Sequence, residues 1–336
     1  MQTTLLNTVT LSELTDLVRK TFVMNQQMVG ENAKSLFISD PIGKGQGNTK
    51  RYDEVDTQTF GRRKREGEAT KKAAVGIGYN KTITKKRIGM EIDITQEMRD
   101  ENRHAEVGSL ITSLSHFCPQ RIELDLTHRF TFASATSYTD MDGDSIDIST
   151  GDSLALVYTA HTLKYSPSTY SNNVSGNPVF SAGALEAAEE LAVTNTLSNF
   201  GERRVIGYNT IVTGDDPNTV NAVKRVLQST ADVDAAHSGV LNVNRNKYTH
   251  KVLPYLATTA TGAHDSTKRR YWFLVAAGKG TMGWQGYFSE WEAPHMKPMT
   301  AASEDNSRDI WTYGTRAGYG ICAVSPRGVI GSLPVS

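Results

Sequence analysis

The stretch from Thr57 to Arg103, TQTFGRRKREGEATKKAAVGIGYNKTITKKRIGMEIDITQEMRDENR, restricts what this chain can fold into more than any other. Up to Glu91 it is basic, rich in Gly and Thr, and poor in large apolar residues. Two strand-like runs, Val55 to Phe60 and Lys81 to Thr84, flank a turn-prone charged tip, Arg62-Arg63-Lys64-Arg65-Glu66-Gly67-Glu68. Alternation on either side of a polar, glycine-bearing connection predicts a β-hairpin. Such a hairpin has almost no apolar face of its own, and an isolated hairpin is marginal in water. It is therefore either a mobile arm or an element that lies on a second copy of the chain. From Ile92 the pattern changes, and Ile94-Thr95-Gln96-Glu97-Met98 opens a long helical segment.

A length of 336 residues predicts two domains, because single cores stop growing at about 250–300 residues. The hydrophobic content of 38% and charged content of 21% are those of a folded chain rather than a disordered one. Formal net charge is zero, which gives nucleic-acid binding no global support. Locally the balance differs: Arg62, Arg63, Lys64, Arg65, Lys71, Lys72, Lys81, Lys85, Lys86 and Arg87 face only Glu66 and Glu68 nearby. Cys118 and Cys322 are far apart, match no metal or redox spacing, and read as packed apolar thiols. Met1-Gln2-Thr3-Thr4-Leu5 has neither the basic start nor the apolar run of a signal peptide. No stretch approaches the roughly 18 continuous apolar residues of a membrane span.

Along the chain, Thr10-Leu11-Ser12-Glu13 has the form of a capping box. Leu11, Leu14, Leu17, Val18, Phe22 and Met24 then recur at helical spacing, which predicts a helix over 11–28 and an irregular polar arm to Lys50. Thr95 to Phe132 reads as mostly helix, with Val107, Leu110, Ile111, Leu114, Phe117, Cys118, Ile122, Leu126 and Phe130 along one stripe. Pro119 inside it predicts a kink or two successive helices. Asp140-Met141-Asp142-Gly143-Asp144 fails the calcium-loop pattern and reads as a turn between strands. Phe180 opens a second domain, with Ser181 as N-cap of a helix ending near Leu197. Asn209 to Val212 reads as a strand, and Asp216-Pro217 starts a helix through Gln228. Strands follow at Lys251 to Leu253, Tyr271 to Val275, Trp284 to Trp291 and Ile310 to Val324. Helices followed by strands without regular βαβ alternation predict an α+β fold.

The chemistry-bearing motifs are sparse. Val75-Gly76-Ile77-Gly78-Tyr79 lacks the third glycine and the following helix of a dinucleotide loop, and reads as hairpin backbone. His116 and His128 fall on the long helix without a carboxylate pair at ligand spacing. His161 is the one histidine with two readings, a structural residue bonded to backbone or the base of a hydrolase. No metal or cofactor is expected. The tip Arg62 to Arg65 reads first as a cationic surface for ion pairing with acidic surface such as Glu186, Glu189 and Glu190 of another subunit. A solvated charge run and contact with DNA phosphates are the alternatives.

The run Phe60-Gly61-Arg62-Arg63-Lys64-Arg65-Glu66-Gly67-Glu68, then Gly78-Tyr79-Asn80-Lys81-Thr82 and Ile94-Thr95-Gln96-Glu97-Met98 ahead of a long helix, resembles the major capsid proteins of tailed bacteriophages. Ala160-His161-Thr162-Leu163, Asn177-Pro178-Val179-Phe180-Ser181-Ala182-Gly183-Ala184-Leu185-Glu186 and Arg327-Gly328-Val329-Ile330-Gly331-Ser332 continue the likeness in order, from about residue 10 to the end. The resemblance implies the tailed-phage coat-protein fold: an N-terminal arm over 1–50 and an extended hairpin loop over 51–92. A peripheral domain with the long helix over 93–179 and an axial domain over 180–310 come next, and C-terminal strands over 311–336 return toward the peripheral domain. It implies a structural protein, not an enzyme, that forms hexamers and pentamers of an icosahedral head around double-stranded DNA. The inter-subunit contacts would then be made by Phe60, Arg62, Arg63, Lys64, Arg65, Glu66, Lys71 and Lys72 of the loop, with Glu186 and Glu189 as acidic partners. The implied partners are further copies, a separate scaffolding protein (there being no room here for a scaffolding segment), the portal, decoration proteins and non-specifically held DNA. The implied location is the virion, assembled in the host cytoplasm without a membrane. A nucleic-acid-binding module using the basic hairpin, and a hydrolase using His161, are the competing readings.

Overall fold

The structure is a computed structural model and describes residues 11–26, 30–43, 45–101, 103–231, 241–278, 283–298, 304–305 and 309–335. The chain begins with α1 (Leu11–Gln26), a 3-10 turn (Lys34–Leu36) and β1 (Ile38–Pro41). The hairpin strands β2 (Thr49–Thr57) and β3 (Val75–Thr84) follow, and β4 (Lys86–Thr95) starts one residue later. Next come α2 (Gln96–Asp100), α3 (His104–Thr131) and four short strands, β5 (Ser137–Thr139), β6 (Ser145–Asp147), β7 (His161–Thr162) and β8 (Thr169–Tyr170). The second half holds α4 (Ala182–Thr194), β9 (Thr210–Thr213), α5 (Pro217–Gln228), β10 (Thr249–Val252) and β11 (Trp272–Val275). It closes with β12 (Gly286–Met296), β13 (Glu304–Asp305), β14 (Ile310–Ala323) and β15 (Val329–Ser332). The fold is α+β. Apart from the βαβ crossover β9–α5–β10 and the parallel pairing of β1 with β12, the strand ladders are antiparallel.

β2–β3, β5–β6 and β7–β8 form separate two-stranded ladders, and two larger sheets hold nine of the strands. In the first, β14 is the axis: β4 runs antiparallel along one side from Thr95↔Ile310 to Lys86↔Tyr319, and β12 along the other from Met296↔Thr315 to Gly286↔Ala323. The second sheet has the order β10-β9-β11-β15. Trp272-Phe273-Leu274-Val275 is apolar throughout because both faces of β11 are covered. Phe273 and Val275 join the core around α3, whereas Trp272 and Leu274 face α4 and α5. The expected caps are present, with Ser181 Oγ accepting from the Ala184 N–H at 3.1 Å and the Asp216 carboxylate from the Thr219 N–H at 3.1 Å. The expected thiols, Cys118 and Cys322, are free and buried.

Helix α3 passes through the middle of the first core. Every residue from Ile122 to Phe130 is buried, so the one-sided stripe of the first turns gives way to a helix enclosed all round. The helix continues through Pro119; the break lies earlier, between Asp100 and His104. Ile92 and Ile94, expected at the start of the helical segment, are strand residues of β4. Met24 is 66% exposed and does not share the stripe of Val18 and Phe22, which pack with Ile94, Val107 and Trp311.

The segment after α1 is not an irregular polar arm. Leu36 and Phe37 enter the main core, Phe37 meets the rings of Phe130 and Trp284 edge-on at 6.0 and 5.6 Å, and β1 pairs in parallel with β12. The Glu123 carboxylate on α3 accepts the backbone N–H groups of Ala33 and, at 3.4 Å, Lys34, so the turn is pinned at its start. The C-terminal strands also part company: β14 pairs with β4, but β15 is the edge of the second sheet beside β11. Asp140 to Asp144 is the turn of the β5–β6 hairpin, with Gly143 at φ +86° and the Asp140 carboxylate accepting from the N–H groups of Asp142 and Asp144. Among the described residues no group of side chains could hold a metal ion, and no helix is long and apolar enough to cross a membrane.

Candidate functional site

The hairpin is longer and shaped differently from its sequence expectation. Pairing starts at Thr49↔Thr84 and ends at Thr57↔Val75, so Gln58, Thr59 and Phe60 belong to the tip rather than to the strand. A register shift between Asp53 and Val55 separates two halves of different chemistry. Near the base, Tyr52 is buried, stacks on Tyr287 at 4.1 Å, and shares hydrogen bonds with Asp40 and Ser289. Further out, the inward side chains are Glu54 and Asp56, 1% and 2% exposed, and the outward ones are Val55, Val75 and Ile77, all more than half exposed. The usual arrangement of a half-covered sheet, apolar in and polar out, is inverted.

The buried carboxylates have specific partners. The Arg327 guanidinium, 3% exposed, donates through Nη1 to Glu54, through Nη2 to Asn199 Oδ1 at 2.8 Å, and through Nε to the Leu197 carbonyl at 2.6 Å. Asn199 Nδ2 donates to Glu54 at 2.9 Å, and the Asn199 backbone N–H to Asp56 at 2.8 Å. Arg204 adds an ion pair with Asp56 at 3.5 Å. Only glycine fits opposite this network: a Cβ on Gly78 would stand 2.6 Å from Glu54 Oε2, and one on Gly76 would stand 2.4 Å from the Tyr165 ring. Tyr165 and Lys164 take the outer carbonyls of Ile77 and Gly78, both at 2.7 Å. The outer half of the hairpin ladder is thus fixed by charge and hydrogen bonds, whereas at its base Tyr52 and Ile83 pack in an apolar cluster with Trp291.

Beyond that anchor, the Thr59 N–H donates to Glu202, and from Thr59 to Val75 every residue is exposed. Phe60 is 63% exposed. Arg62, Arg63, Lys64, Arg65, Lys71 and Lys72 are all exposed, with only Glu66 and Glu68 among them. Three of the other cations in this stretch are neutralised from far along the chain, whereas Arg87 is exposed. Lys81 pairs with Asp147 at 2.7 Å, Lys85 with Glu292 at 3.7 Å and Lys86 with Asp140 at 2.7 Å. Of the expected acidic partners, Glu186 is exposed on α4, whereas Glu189 is engaged within the chain by Lys247 at 2.6 Å and the Tyr248 hydroxyl at 2.9 Å. The anchor of Glu54, Asp56, Asn199 and Arg327 was absent from the sequence expectation. Its one local signal is the alternation of Tyr52, Glu54 and Asp56 opposite Gly76 and Gly78.

His161 is fully buried and bonds side chains, not backbone: Nδ1 lies 2.8 Å from Asp152 and Nε2 3.2 Å from Asn172 Oδ1, with Tyr170 stacked at 5.1 Å. Burial pushes the Asp152 carboxyl up, but the hydrogen bond and charge of His161 hold it below the ordinary value. Asn172 Nδ2 in turn donates to the carbonyls of Leu156 and Val329 at 2.8 and 3.0 Å, so the cluster ties the 150–172 loop to the start of β15. Among the described residues no Ser, Thr or Cys side chain is bonded to His161.

No family model and no curated protein matches the chain by sequence. Among solved structures it is similar to the mature capsid of bacteriophage PhiM1, at 14% identity and a TM-score of 0.49, covering 90% of this chain and 87% of that one. It is also similar to the capsid of Myoviridae phage XM1, at 10% identity and a TM-score of 0.47 over 90% of each chain. A third similar structure is a virus-like particle from Pyrococcus furiosus, at 10% identity and a TM-score of 0.45, covering 95% of this chain and 99% of that one.

Proposed function

We propose that this chain is a structural subunit of the tailed-phage major capsid family, one that assembles with copies of itself into the hexamers and pentamers of an icosahedral head around double-stranded DNA. The observation that carries this is the inverted hairpin. Its inward face is committed to its own subunit through Glu54, Asp56 and Arg327, while its outward face presents Val55, Val75, Ile77 and Phe60 to solvent beside six exposed cations. An apolar strip on a rigidly held projection is surface left for a neighbour, and a contact between unlike surfaces of identical subunits closes rings when its rotation closes. The order of capsid-like motifs along the sequence supports the same reading. It extends the partner list to a scaffolding protein, the portal and decoration proteins, and the location to a virion built in the host cytoplasm. The segments 1–50, 51–92, 93–179, 180–310 and 311–336 serve in this reading as arm, extended loop, peripheral domain, axial domain and returning strands.

The test is sedimentation and negative-stain imaging of the chain expressed alone and with its neighbouring reading frames. Rings, tubes or shells tens of nanometres across are expected, the size following from many copies of a 336-residue subunit. A stable monomer in both conditions overturns the reading. Replacing Arg62, Arg63, Lys64 and Arg65 by Ala should leave the subunit folded and impair assembly; normal shells from that variant remove the role given to the tip. The exposed cations of the tip also favour a second reading, a nucleic-acid contact, which predicts salt-sensitive DNA binding that the same variant loses.

A further inference from the structure

We propose that the cavity enclosed by β3, α3, the β5–β6 hairpin and the last residues of β14 is a binding site for a small tetrahedral oxyanion of phosphate or sulfate size, held by Arg129, Lys81 and Tyr138. The cavity has a volume of about 320 Å³, ample for such an ion with its residual water, and all three residues line it. Arg129 is 7% exposed and has no carboxylate at ion-pair distance among the described residues. Its Nη1 donates to the Asp147 carbonyl at 2.8 Å and its Nη2 to the Ile321 carbonyl at 3.1 Å, whereas Nε has no partner. Two carbonyl dipoles do not neutralise a guanidinium, and a buried charge without a counter-ion is costly.

The carboxylates of the cavity are already committed. Asp125 accepts from Arg121 at 3.0 Å and from the Tyr319 hydroxyl at 2.5 Å, and Asp147 accepts from Lys81 and Ser149, both at 2.7 Å. Arg129 is therefore the cation left over. Tyr138, 7% exposed, has a hydroxyl with no hydrogen-bond partner among the described residues. Burial raises its pKa, so the phenol keeps its proton and remains a donor. The neighbouring Cys322 thiol, pushed up to about 12 by burial, adds no negative charge. A guanidinium, an ammonium and a phenol around one space are the donors that planar and tetrahedral oxyanions take, and charge-assisted bonds of this kind are the strong ones. An ion seated there would bridge Lys81 on the hairpin to Arg129 on α3, fastening the hairpin to the central helix.

The experiment is calorimetric titration and thermal unfolding of the full chain with inorganic phosphate and with sulfate, against chloride at matched ionic strength. Saturable binding with a raised Tm is expected for the two oxyanions and not for chloride. Tyr138→Phe should weaken binding about tenfold, the equivalent of one such hydrogen bond, and Arg129→Met should abolish it. Lys81→Gln carries the same test should Arg129→Met fail to fold, because Lys81 lies toward the surface. Equal responses to chloride and phosphate, or binding that Tyr138→Phe and Lys81→Gln both leave unchanged, overturn the proposal. None of these outcomes bears on the capsid reading, which rests on the hairpin's outer face.

Discussion

Arg327→Met removes the one cation that, among the described residues, reaches Glu54, while keeping the aliphatic stem. The guanidinium makes four hydrogen bonds, to Glu54, Asn199 Oδ1, the Leu197 carbonyl and Ser325 Oγ, and stands 5.5 Å over the Tyr170 ring. After the change Glu54 keeps one donor, Asn199 Nδ2, and remains a buried carboxylate without a counter-charge. Breaking a buried pair from one side costs about 3–5 kcal/mol, most of it the unpaired partner left behind. The expected loss is therefore about 4 kcal/mol by denaturant unfolding, with amide exchange accelerated over 49–57 and 75–84 before the rest of the chain. Glu54→Gln in the same background should restore roughly half of it, since a neutral amide needs no counter-ion. A loss under about 1 kcal/mol, or exchange that rises uniformly with no preference for the hairpin, would refute the idea that charge and not apolar packing anchors it.

Three further outcomes follow from the same coordinates. Gly78→Ala places a methyl 2.6 Å from Glu54 Oε2 and 2.7 Å from Asn199 Nδ2, and should cost about 1–3 kcal/mol by denaturant unfolding. Burial lowers the pKa of His128 from 6.5 to about 4. The unfolded chain thus binds a proton that the native state refuses, so stability is fully present above about pH 6.5 and falls as pH drops toward 4. The fall amounts to roughly 3 kcal/mol, and His128→Gln should flatten that slope in a pH series of unfolding curves. Ser181→Ala removes the acceptor for the Ala184 N–H and should lower stability by about 1 kcal/mol, read as a shift in Tm.

What the sequence conveyed was mostly local. Ser181 and Asp216-Pro217 announce helices because a cap acts on a backbone N–H three residues away, and both caps are present. The β11 run, the α3 stripe and the turn at Gly143 are equally short-range, since their spacing alone carries the face they bury. The anchor was hidden because Glu54 and Arg327 are 273 positions apart, and neither residue has an unusual neighbour in sequence. Distance misled in the other direction too. Lys81 and Lys86 look like part of one basic run with Arg62 to Arg65, yet Asp147 and Asp140 neutralise them while the tip stays exposed. β1 was read as polar arm because Ile38-Ser39-Asp40-Pro41 has no strong pattern of its own; it is a strand because the edge of β12 is there to pair with it.

Every residue from Ala317 to Pro334 is buried. These residues run down the axis of the first sheet, turn at Pro326, and supply the edge of the second, where Val329 and Ile330 complete two separate cores. During synthesis, the arm, the hairpin and the central helix therefore leave the ribosome well before the strands that close them. The first sheet stays open until residue 323 is free of the tunnel and the second until residue 332, and Glu54 waits for Arg327 between them. The carboxylate of Glu54 lacks its cation until Arg327 has emerged, so the hairpin takes its fixed posture only late in translation.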